Sequence, residues 1–151
     1  MKRVLVTGFP PFPGRPVNPS ELFIQSISSN SIAIPGIELH THLLPVEYTG
    51  VEQAFTRLMA EIRPHLWLAF GVGAQQTPIR LECRGINQAH STRCDNAGEL
   101  RTNCLIEENG PEFRSLPADL AELHSHLHRA GYSCELSDDA GTYVCNHLIY
   151  T

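Results

Sequence analysis

The residue best suited to covalent chemistry in this sequence is Cys145. Three small residues, Ala140-Gly141-Thr142, lie shortly before it, and the residues after it are predicted to form a helix. A cysteine at the start of a helix faces unpaired backbone N–H groups and the positive end of the helix dipole, which together lower the thiol pKa. Because the thiolate is the nucleophilic form, Cys145 is a candidate nucleophile, and backbone N–H groups near the small residues could stabilise an oxyanion. The alternative is a buried cysteine that only fills apolar space.

Glu82 is the candidate acidic residue, although its sequence context alone is weak evidence. It lies in residues 79–83, where apolar and charged residues alternate as is typical of a strand. On such a strand Glu82 would share a face with Arg80 and Arg84. The alternative role for its carboxylate is therefore a solvent-exposed ion pair with one of these arginines.

Two aromatic residues follow the first predicted strand. Phe9 and Phe12 lie between Gly8 and Gly14 in a segment that also holds several prolines. Aromatic side chains in a loop at the end of a strand could form an apolar wall for the flat ring of a ligand. The alternative for both rings is local packing within the loop.

Two patterns that could bind a metal or a nucleotide are weak. His124 and His128 share one face of a predicted helix, but no acidic third ligand has the spacing for a metal site, so a solvated helix face is predicted. The segment Gly71-Val72-Gly73 begins like a dinucleotide-binding motif, but Gln76 stands where the third glycine belongs. We therefore expect neither a metal nor a cofactor.

The overall composition excludes several classes of protein. The chain has 151 residues, of which 42% are hydrophobic and 18% are charged, and this fits one globular domain. Its net charge of -5 argues against nucleic acid or an anionic membrane as a partner, and no apolar run reaches the length of a membrane span. The five cysteines form no C-x-x-C pair, so we expect free thiols in a reducing, cytoplasmic environment.

The first half of the chain has the pattern of alternating strands and helices. Asn18-Pro19-Ser20-Glu21 is typical of a helix start, and the apolar residues Leu22, Phe23 and Ile27 share one face of that predicted helix. The run from Leu66 to Phe70 is predicted to be a strand buried on both faces. The predicted order is a strand at 4–7, a helix after Asn18, a strand at 37–44, a helix at 48–62 and a strand at 66–70. This order calls for a parallel sheet with right-handed crossovers.

The second half is less regular. We predict a fourth strand at 79–86, a loop or small hairpin at 91–112, a helix at 117–130 followed by Gly131, a strand at 132–136 and a helix that contains Cys145. The predicted fold class is therefore α/β, a three-layer αβα sandwich with a mostly parallel central sheet. Ligands bind at the C-terminal ends of strands in such sheets, which here are the loops after Thr7, after Phe70 and before Cys145.

Four segments together resemble the pyroglutamyl peptidase I (pyrrolidone-carboxylate peptidase) family of cysteine peptidases. The resemblance runs along the whole chain, and the segment around Cys145 is the most specific of the four. The matching residues are Val4-Leu5-Val6-Thr7-Gly8-Phe9 with Phe12, Gly14 and Asn18-Pro19-Ser20; Leu81-Glu82 with Ile86-Asn87; Asp95-Asn96 with Gly98; and Ala140-Gly141-Thr142-Tyr143-Val144-Cys145-Asn146 with Tyr150.

The resemblance implies a cytoplasmic enzyme that removes an N-terminal pyroglutamyl residue from peptides without a metal or cofactor. Cys145 would attack the amide carbonyl, and Glu82 would belong to a Cys-His-acid triad in which it orients the histidine. The resemblance further implies an α/β fold and a homo-oligomer, often a tetramer. The substrate-binding residues that it implies are Phe9 and Phe12, which would enclose the pyrrolidone ring, together with Asn18 and Val72.

This sequence departs from the family pattern at three places. The family's catalytic histidine lies beyond the helix of the nucleophile, in a segment that this chain lacks, and His147 would point away from Cys145 on a helix. Ala74-Gln75-Gln76 replaces the usual Gly-Gly-Arg. The arginine expected three residues before Asp95 falls on Thr92, and Arg93 is one place off.

These departures leave alternatives open. We predict that residues 1–151 form a single pyroglutamyl-peptidase-like domain that lacks the family's C-terminal segment. The first alternative is a non-catalytic relative, or a truncated form, that has lost the catalytic histidine and keeps the fold. The second is a cysteine hydrolase that acts on another acyl substrate.

Overall fold

The computed structural model describes residues 1–30, 32–73, 78–117 and 119–151. The chain divides into two compact units, of which unit 1 comprises Met1–Val72 with Arg93–Glu99 and unit 2 comprises Gly73–Thr92 with Leu100–Thr151. Unit 1 contains β1 (Lys2–Gly8), α1 (Pro19–Ser29), β2 (Ile37–Leu43), α2 (Tyr48–Ile62) and β3 (Leu66–Ala69). Unit 2 contains β4 (Ile79–Glu82), β5 (Arg84–Ile86), β6 (Phe113–Ser115), α3 (Leu120–Arg129), β7 (Cys134–Ser137) and α4 (Val144–Tyr150).

Unit 1 has the predicted alternation of strands and helices. Its three strands are arranged in the order β2-β1-β3, and both pairings are parallel. The central strand β1 is the most buried, and its residues Val4 and Val6 form a core with Ile24 of α1. The parallel sheet and the α/β class predicted from the sequence are therefore confirmed.

Helix α1 begins where its sequence predicted, and only part of its apolar face is buried. Asn18 is the N-cap residue, and its Oδ1 accepts a hydrogen bond of 3.1 Å from the backbone N–H of Ser20. Of the three apolar residues that share a face, Ile27 packs against the core, whereas Leu22 is 54% exposed. The buried helix residues are Ser20 and Ile24. The ring of Phe23 instead packs on the ring of Phe70, with 4.7 Å between the ring centroids.

Strand β3 is not buried on both faces, contrary to the prediction. Its residue Leu66 is 48% exposed, and Phe70, just beyond its end, is also exposed. The reason is its position in the sheet, since β3 pairs with β1 along one edge and is the last strand of the three-stranded sheet. Its Trp67 packs on Phe55 of α2 and donates a hydrogen bond of 2.9 Å from Nε1 to Oγ1 of Thr7.

Unit 2 contains two short strands where the sequence predicted a single one at 79–86. The chain changes partner at Cys83: β4 pairs in parallel with β7, and β5 pairs antiparallel with β6. The close approach of α4 explains why β5 leaves the line of β4. A Cβ atom at Gly85 would lie 2.6 Å from the backbone nitrogen of Tyr150, so only glycine fits there.

The remaining elements of unit 2 differ from the predictions mainly at their ends. Helix α3 begins at Leu120 after the N-cap residue Asp119 rather than at 117, and Gly131 follows it with a φ of 87°. Strand β7 spans Cys134–Ser137, two residues later than predicted at its start. No helix within the described ranges is long and apolar enough to cross a membrane.

Close contact between β1 and α1 generates a first prediction. A Cβ atom at Gly8 would lie 2.7 Å from the carbonyl oxygen of Ser20 and 2.8 Å from Cγ1 of Ile24. Gly8→Ala should therefore lower the free energy of unfolding by about 1–3 kcal/mol, because α1 must shift away from the sheet. Thermal and urea unfolding would measure the change. Gln25→Ala on the exposed side of α1 is the matched control, and equal stability of the two variants would contradict the prediction.

Candidate active site

Cys145 is the second residue of α4, after the N-cap residue Tyr143. Its position at the start of a helix is therefore as predicted, and its side chain is half-buried. The approach to the helix is anchored at two points, because Thr142 exchanges hydrogen bonds with the backbone of His90 and the Gly141 N–H donates a 2.9 Å hydrogen bond to Oδ1 of Asp139. The Gly141 N–H is thus already engaged, although the small residues were expected to present backbone donors to a ligand.

The side chain of Asn146 fixes helix α4 against β5. Its Oδ1 accepts a hydrogen bond of 2.8 Å from the backbone N–H of Ile86, and its Nδ2 donates hydrogen bonds of 2.9 Å to the carbonyl oxygens of Ile86 and Gln88. Asn146 is fully buried, so these bonds satisfy polar groups that water does not reach. The carboxamide therefore makes the hydrogen bonds to β5 that a neighbouring strand would otherwise make. In doing so it sets the position of the adjacent Cys145.

The last turn of α4 is held by a second set of contacts. Tyr150 is fully buried, and its Oη donates a hydrogen bond of 2.8 Å to the carbonyl oxygen of Pro111. The guanidinium of Arg114 lies over the Tyr150 ring and donates a hydrogen bond of 2.8 Å to the Tyr150 carbonyl oxygen. Arg114 also forms an ion pair with Glu107. A helix of only seven residues is thus fixed at both ends by tertiary contacts.

Glu82 is the last residue of β4, and its carboxylate lies in a network of polar groups. Its Oε2 accepts a hydrogen bond of 2.5 Å from Oγ of Ser137, and its Oε1 lies 3.5 Å from Nε of Arg80. The predicted pairing with Arg80 is therefore present, whereas Arg84 donates to the carbonyl oxygen of Asp138 instead. The Glu82 side chain is only 25% exposed, so this is not the fully solvated ion pair of the alternative interpretation.

The electrostatic environment favours the protonated thiol of Cys145. Burial raises the pKa of the Cys145 thiol to about 11, and the nearby carboxylate of Glu82 raises it further in the same direction. The pKa is therefore raised, contrary to the expectation from the helix start, because burial removes solvent from around the thiolate. Burial also raises the pKa of Glu82, although the hydrogen bond from Ser137 and the charge of Arg80 oppose that shift.

In unit 1, the loop that carries Phe9 and Phe12 is held by hydrogen bonds to several consecutive residues. Three side chains donate to its carbonyl oxygens: Asn18 to Pro10, Asn96 to Pro11 and Arg93 to Pro13. Oγ of Ser20 accepts a hydrogen bond of 3.0 Å from the backbone N–H of Phe9. Because four prolines remove backbone donors from this loop, its shape depends on these side chains.

The four residues expected to bind substrate differ in accessibility. Phe9 is only 4% exposed, whereas Phe12 and Val72 are half-buried. The polar atoms of Asn18 are engaged within the protein, since Oδ1 accepts from Ser20 and Nδ2 donates to Pro10. Asn18 therefore acts on the loop as a support.

The segment 93–99, part of which was matched to the family, has a supporting role in unit 1. Oδ2 of Asp95 accepts a hydrogen bond of 2.9 Å from the N–H of Tyr48 at the start of α2, and its Oδ1 accepts from the N–H groups of Ala97 and Glu99. Arg93, one place from the expected arginine, contacts the phenylalanine loop through Pro13. The three residues that replace Gly-Gly-Arg, 74–76, lie outside the described residues.

The histidines considered in the sequence lie apart from these groups. The rings of His124 and His128 stack with 6.3 Å between their centroids, so the predicted shared face is confirmed. His147 is buried in α4, about 200° around the helix from Cys145. Sequence reasoning missed Ser137 and Asn146 as supporting residues. Ser137 could be identified as a partner of Glu82 only once the strand register is known, because the two residues lie opposite each other in the β4–β7 pairing.

Comparison with known sequences gives one consistent result. A sequence model of the pyroglutamyl peptidase family matches residues 2–151. Pyrrolidone-carboxylate peptidase 1 of Ralstonia nicotianae is 34% identical over 152 residues, covering 99% of this chain and 69% of that protein. The pyrrolidone-carboxylate peptidase of Thermococcus onnurineus is 35% identical over 151 residues, covering 99% of this chain and 73% of that protein.

Comparison with solved structures agrees. The pyrrolidone carboxyl peptidase of Fervidobacterium islandicum superposes with a TM-score of 0.91 at 31% identity, covering 99% of this chain and 71% of that one. The pyroglutamyl peptidase I of Bacillus amyloliquefaciens superposes with a TM-score of 0.90 at 27% identity, covering 99% of this chain and 72% of that one.

The contacts of Asn146 generate a second prediction. Asn146→Ala removes three buried hydrogen bonds and should lower the free energy of unfolding by about 3 kcal/mol. Urea unfolding monitored by circular dichroism would measure this loss. Asn109→Ala, at an exposed position of the same unit, is the control and should change stability by less than about 0.5 kcal/mol. A stability of Asn146→Ala equal to that of the control would contradict the proposed fixing of α4.

The shared environment of Cys145 and Glu82 generates a third prediction. Because burial and Glu82 raise the pKa of the Cys145 thiol, the thiol is protonated at pH 7. Glu82→Gln removes a negative charge, so it should lower the thiol pKa and speed the alkylation of Cys145 by iodoacetamide severalfold at fixed pH. Peptide mass spectrometry would follow position 145 separately from the exposed Cys94 and Cys104.

Glu135→Gln is the matched control for that experiment. Glu135 lies near Glu82, but its charge is not among the causes of the shifted Cys145 pKa. The control should therefore alkylate at the wild-type rate. If Glu82→Gln alkylates no faster than this control, the two groups do not share an electrostatic environment.

Proposed function

Because the chain belongs to the pyroglutamyl peptidase family, whose members are cysteine peptidases that remove N-terminal pyroglutamate, we propose that Cys145 is its catalytic nucleophile. We propose Glu82 as the acidic residue of the same site. The observation that carries this assignment is the match of the family model to residues 2–151, which include both positions. The Glu82 carboxylate also raises the pKa of the Cys145 thiol, as a nearby negative charge does. Supporting it, Cys145 is at the start of α4 and Glu82 at the C-terminal end of a parallel strand.

The proposed chemistry begins with removal of the thiol proton. Burial and Glu82 both favour the protonated thiol, so deprotonation needs a base whose charged form offsets them. An imidazole placed between Sγ of Cys145 and the Glu82 carboxylate can act as this base. It accepts the thiol proton and becomes a cation that the carboxylate stabilises. The negative charge of Glu82 then favours the thiolate–imidazolium pair instead of opposing the thiolate alone.

The bond changes follow from nucleophilic acyl transfer. Sγ attacks the carbonyl carbon of the pyroglutamyl residue, and the amide C–N bond breaks as the imidazolium returns its proton to the leaving amine. Water, deprotonated by the same imidazole, then hydrolyses the thioester. This releases pyroglutamate and restores the thiol.

For substrate recognition we propose that Phe12 and Val72 contact the pyrrolidone ring and that Phe9 and Asn18 support them. The first residue of such a substrate carries no ammonium group, so an apolar wall with backbone hydrogen bonds suits it better than a carboxylate. The half-buried position of Phe12 and Val72 supports this division of roles. Peptides with an N-terminal pyroglutamyl residue are the substrate class, and a cytoplasmic location and a homo-oligomer remain parts of the same proposal.

The fourth prediction tests the catalytic assignment. In added imidazole the chain should hydrolyse a fluorogenic pyroglutamyl amide, and Cys145→Ala should reduce that turnover to the background of imidazole alone, because the covalent pathway is lost. Cys104→Ala, which alters an exposed thiol, is the control and should retain wild-type turnover. Added imidazole should raise turnover of the wild type and leave Cys145→Ala inactive.

Three outcomes would contradict the proposal. Equal turnover by wild type and Cys145→Ala would remove Cys145 as the nucleophile. Pyroglutamate binding measured by calorimetry, with no turnover even in added imidazole, would support the non-catalytic alternative. Faster cleavage of another acyl amide in a substrate panel would favour the general cysteine hydrolase.

A further inference from the structure

The hydroxyl of Ser137 lies at the centre of the polar network around Glu82. Ser137 is buried, and its Oγ donates a hydrogen bond of 2.5 Å to Oε2 of Glu82. The same oxygen accepts a hydrogen bond of 2.5 Å from Nη2 of Arg80 and one of 3.2 Å from the backbone N–H of Asp139. Oγ also lies 3.3 Å from the Asp139 carbonyl oxygen, but the shorter contact of 2.5 Å directs its one proton to the Glu82 carboxylate. The two donors hold the oxygen in place.

This arrangement follows from the strand register. In the parallel pairing of β4 with β7, Glu82 and Ser137 are partner residues, as are Arg80 and Glu135. Side chains of partner residues lie on the same face of a sheet. The backbone N–H of Cys83 also donates to the Ser137 carbonyl oxygen at 2.7 Å, so the pairing continues beyond Glu82.

Resting on the proposed function, we infer that Ser137 is a positioning residue for the reaction: its hydroxyl links the Arg80 guanidinium to the Glu82 carboxylate and holds that carboxylate in one orientation for its catalytic role. Arg80 acts through this link as well as directly, because its Nη2 donates to Ser137 and to the Asp139 carbonyl oxygen while its Nε lies 3.5 Å from Oε1 of Glu82. A donor that is itself hydrogen-bonded to a cation is a stronger donor.

The charged groups around Glu82 set the direction of the expected effect. Arg80, also on β4, lowers the pKa of Glu82, whereas Asp139 in the loop after β7 and Glu135 on β7 raise it. The Cys145 thiol of α4 is the further titratable group coupled to it. Burial raises the pKa of Glu82 most, and the Ser137 hydrogen bond is the largest influence that lowers it.

Ser137→Ala should therefore raise the Glu82 pKa further, because the hydrogen bond that lowers it is lost. The sign follows because the lost hydrogen bond stabilised the ionised carboxylate and not the protonated one. Ser137→Thr keeps a hydroxyl at the same position and should titrate close to the wild type. Ser125→Ala, which removes an exposed hydroxyl bonded to its own helix, is the matched control in the same unit.

The experiment is a carbon-13 NMR titration of side-chain carboxylates in the full chain, with the Glu82 signal assigned by its disappearance in Glu82→Gln. In parallel, the pH dependence of kcat for a pyroglutamyl amide is measured in added imidazole. We expect Ser137→Ala to move the Glu82 titration and the acidic limb of kcat upward together, with KM little changed. Arg80→Gln should move the Glu82 titration in the same direction and provides a second variant if Ser137→Ala does not fold.

Two results would overturn the inference. One is an unchanged Glu82 titration in Ser137→Ala or, if that variant does not fold, in Arg80→Gln. The other is a Ser137→Thr variant that behaves like Ser137→Ala, which would assign the effect to packing. Failure of the proposed function is read separately, because loss of Cys145-dependent hydrolysis leaves the NMR titration of Glu82 intact.

Discussion

Buried polar side chains that satisfy several backbone groups of a neighbouring segment are the interactions on which both units depend. In unit 2, Asn87 accepts from the N–H groups of Ile106 and Glu107 and donates to the Glu107 carbonyl oxygen, while Asn146 serves the end of β5. In unit 1, the Asp95 carboxylate accepts hydrogen bonds from the N–H of Tyr48 at the start of α2 and from N–H groups within its own turn. Buried backbone groups must find partners, and these segments have no regular ladder to supply them.

This constraint explains how short elements hold a reactive group in place. Helix α4 has seven residues, which is too few to be stable by itself. Its position comes instead from the Asn146 carboxamide and from the contacts of Tyr150, with Gly85 allowing the backbones to approach. The sequence around the cysteine therefore has two tasks, since Cys145 is the proposed nucleophile and Asn146 fixes the helix.

The parts of the fold that depend on local sequence could be predicted, and the parts that depend on tertiary contacts could not. The Asn18-Pro19 start of α1 is a local signal, because the cap bonds to a residue two positions away. Which face α1 buries depends on its approach to Gly8 of β1, and the apolar residues Leu22 and Phe23 do not identify it. The division of the predicted strand at 79–86 has a similar cause, because it depends on where α4 crosses Gly85.

The same distinction applies to the candidate site. Cys145 and Glu82 could be named from residue type and motif resemblance, since their chemistry is intrinsic to their side chains. Ser137 could not, because a serine near the end of a strand is common and its meaning depends on the residue opposite it. Asn146 stood within a matched motif, yet its three hydrogen bonds reach residues about 60 positions away.

If Cys145 and Glu82 have their proposed roles, the electrostatics of the site favour an unreactive thiol until a cation lies beside it. Desolvation and the Glu82 carboxylate both raise the thiol pKa of Cys145, so neither group alone activates it. A thiol in this state resists oxidation and alkylation, which require the thiolate. Placing an imidazolium next to the carboxylate reverses the effect of Glu82, because its charge then stabilises the ion pair. The Glu82 carboxylate thus disfavours the isolated Cys145 thiolate and favours the thiolate paired with an imidazolium. In the proposed mechanism, Cys145 is therefore reactive only when the imidazole is in place.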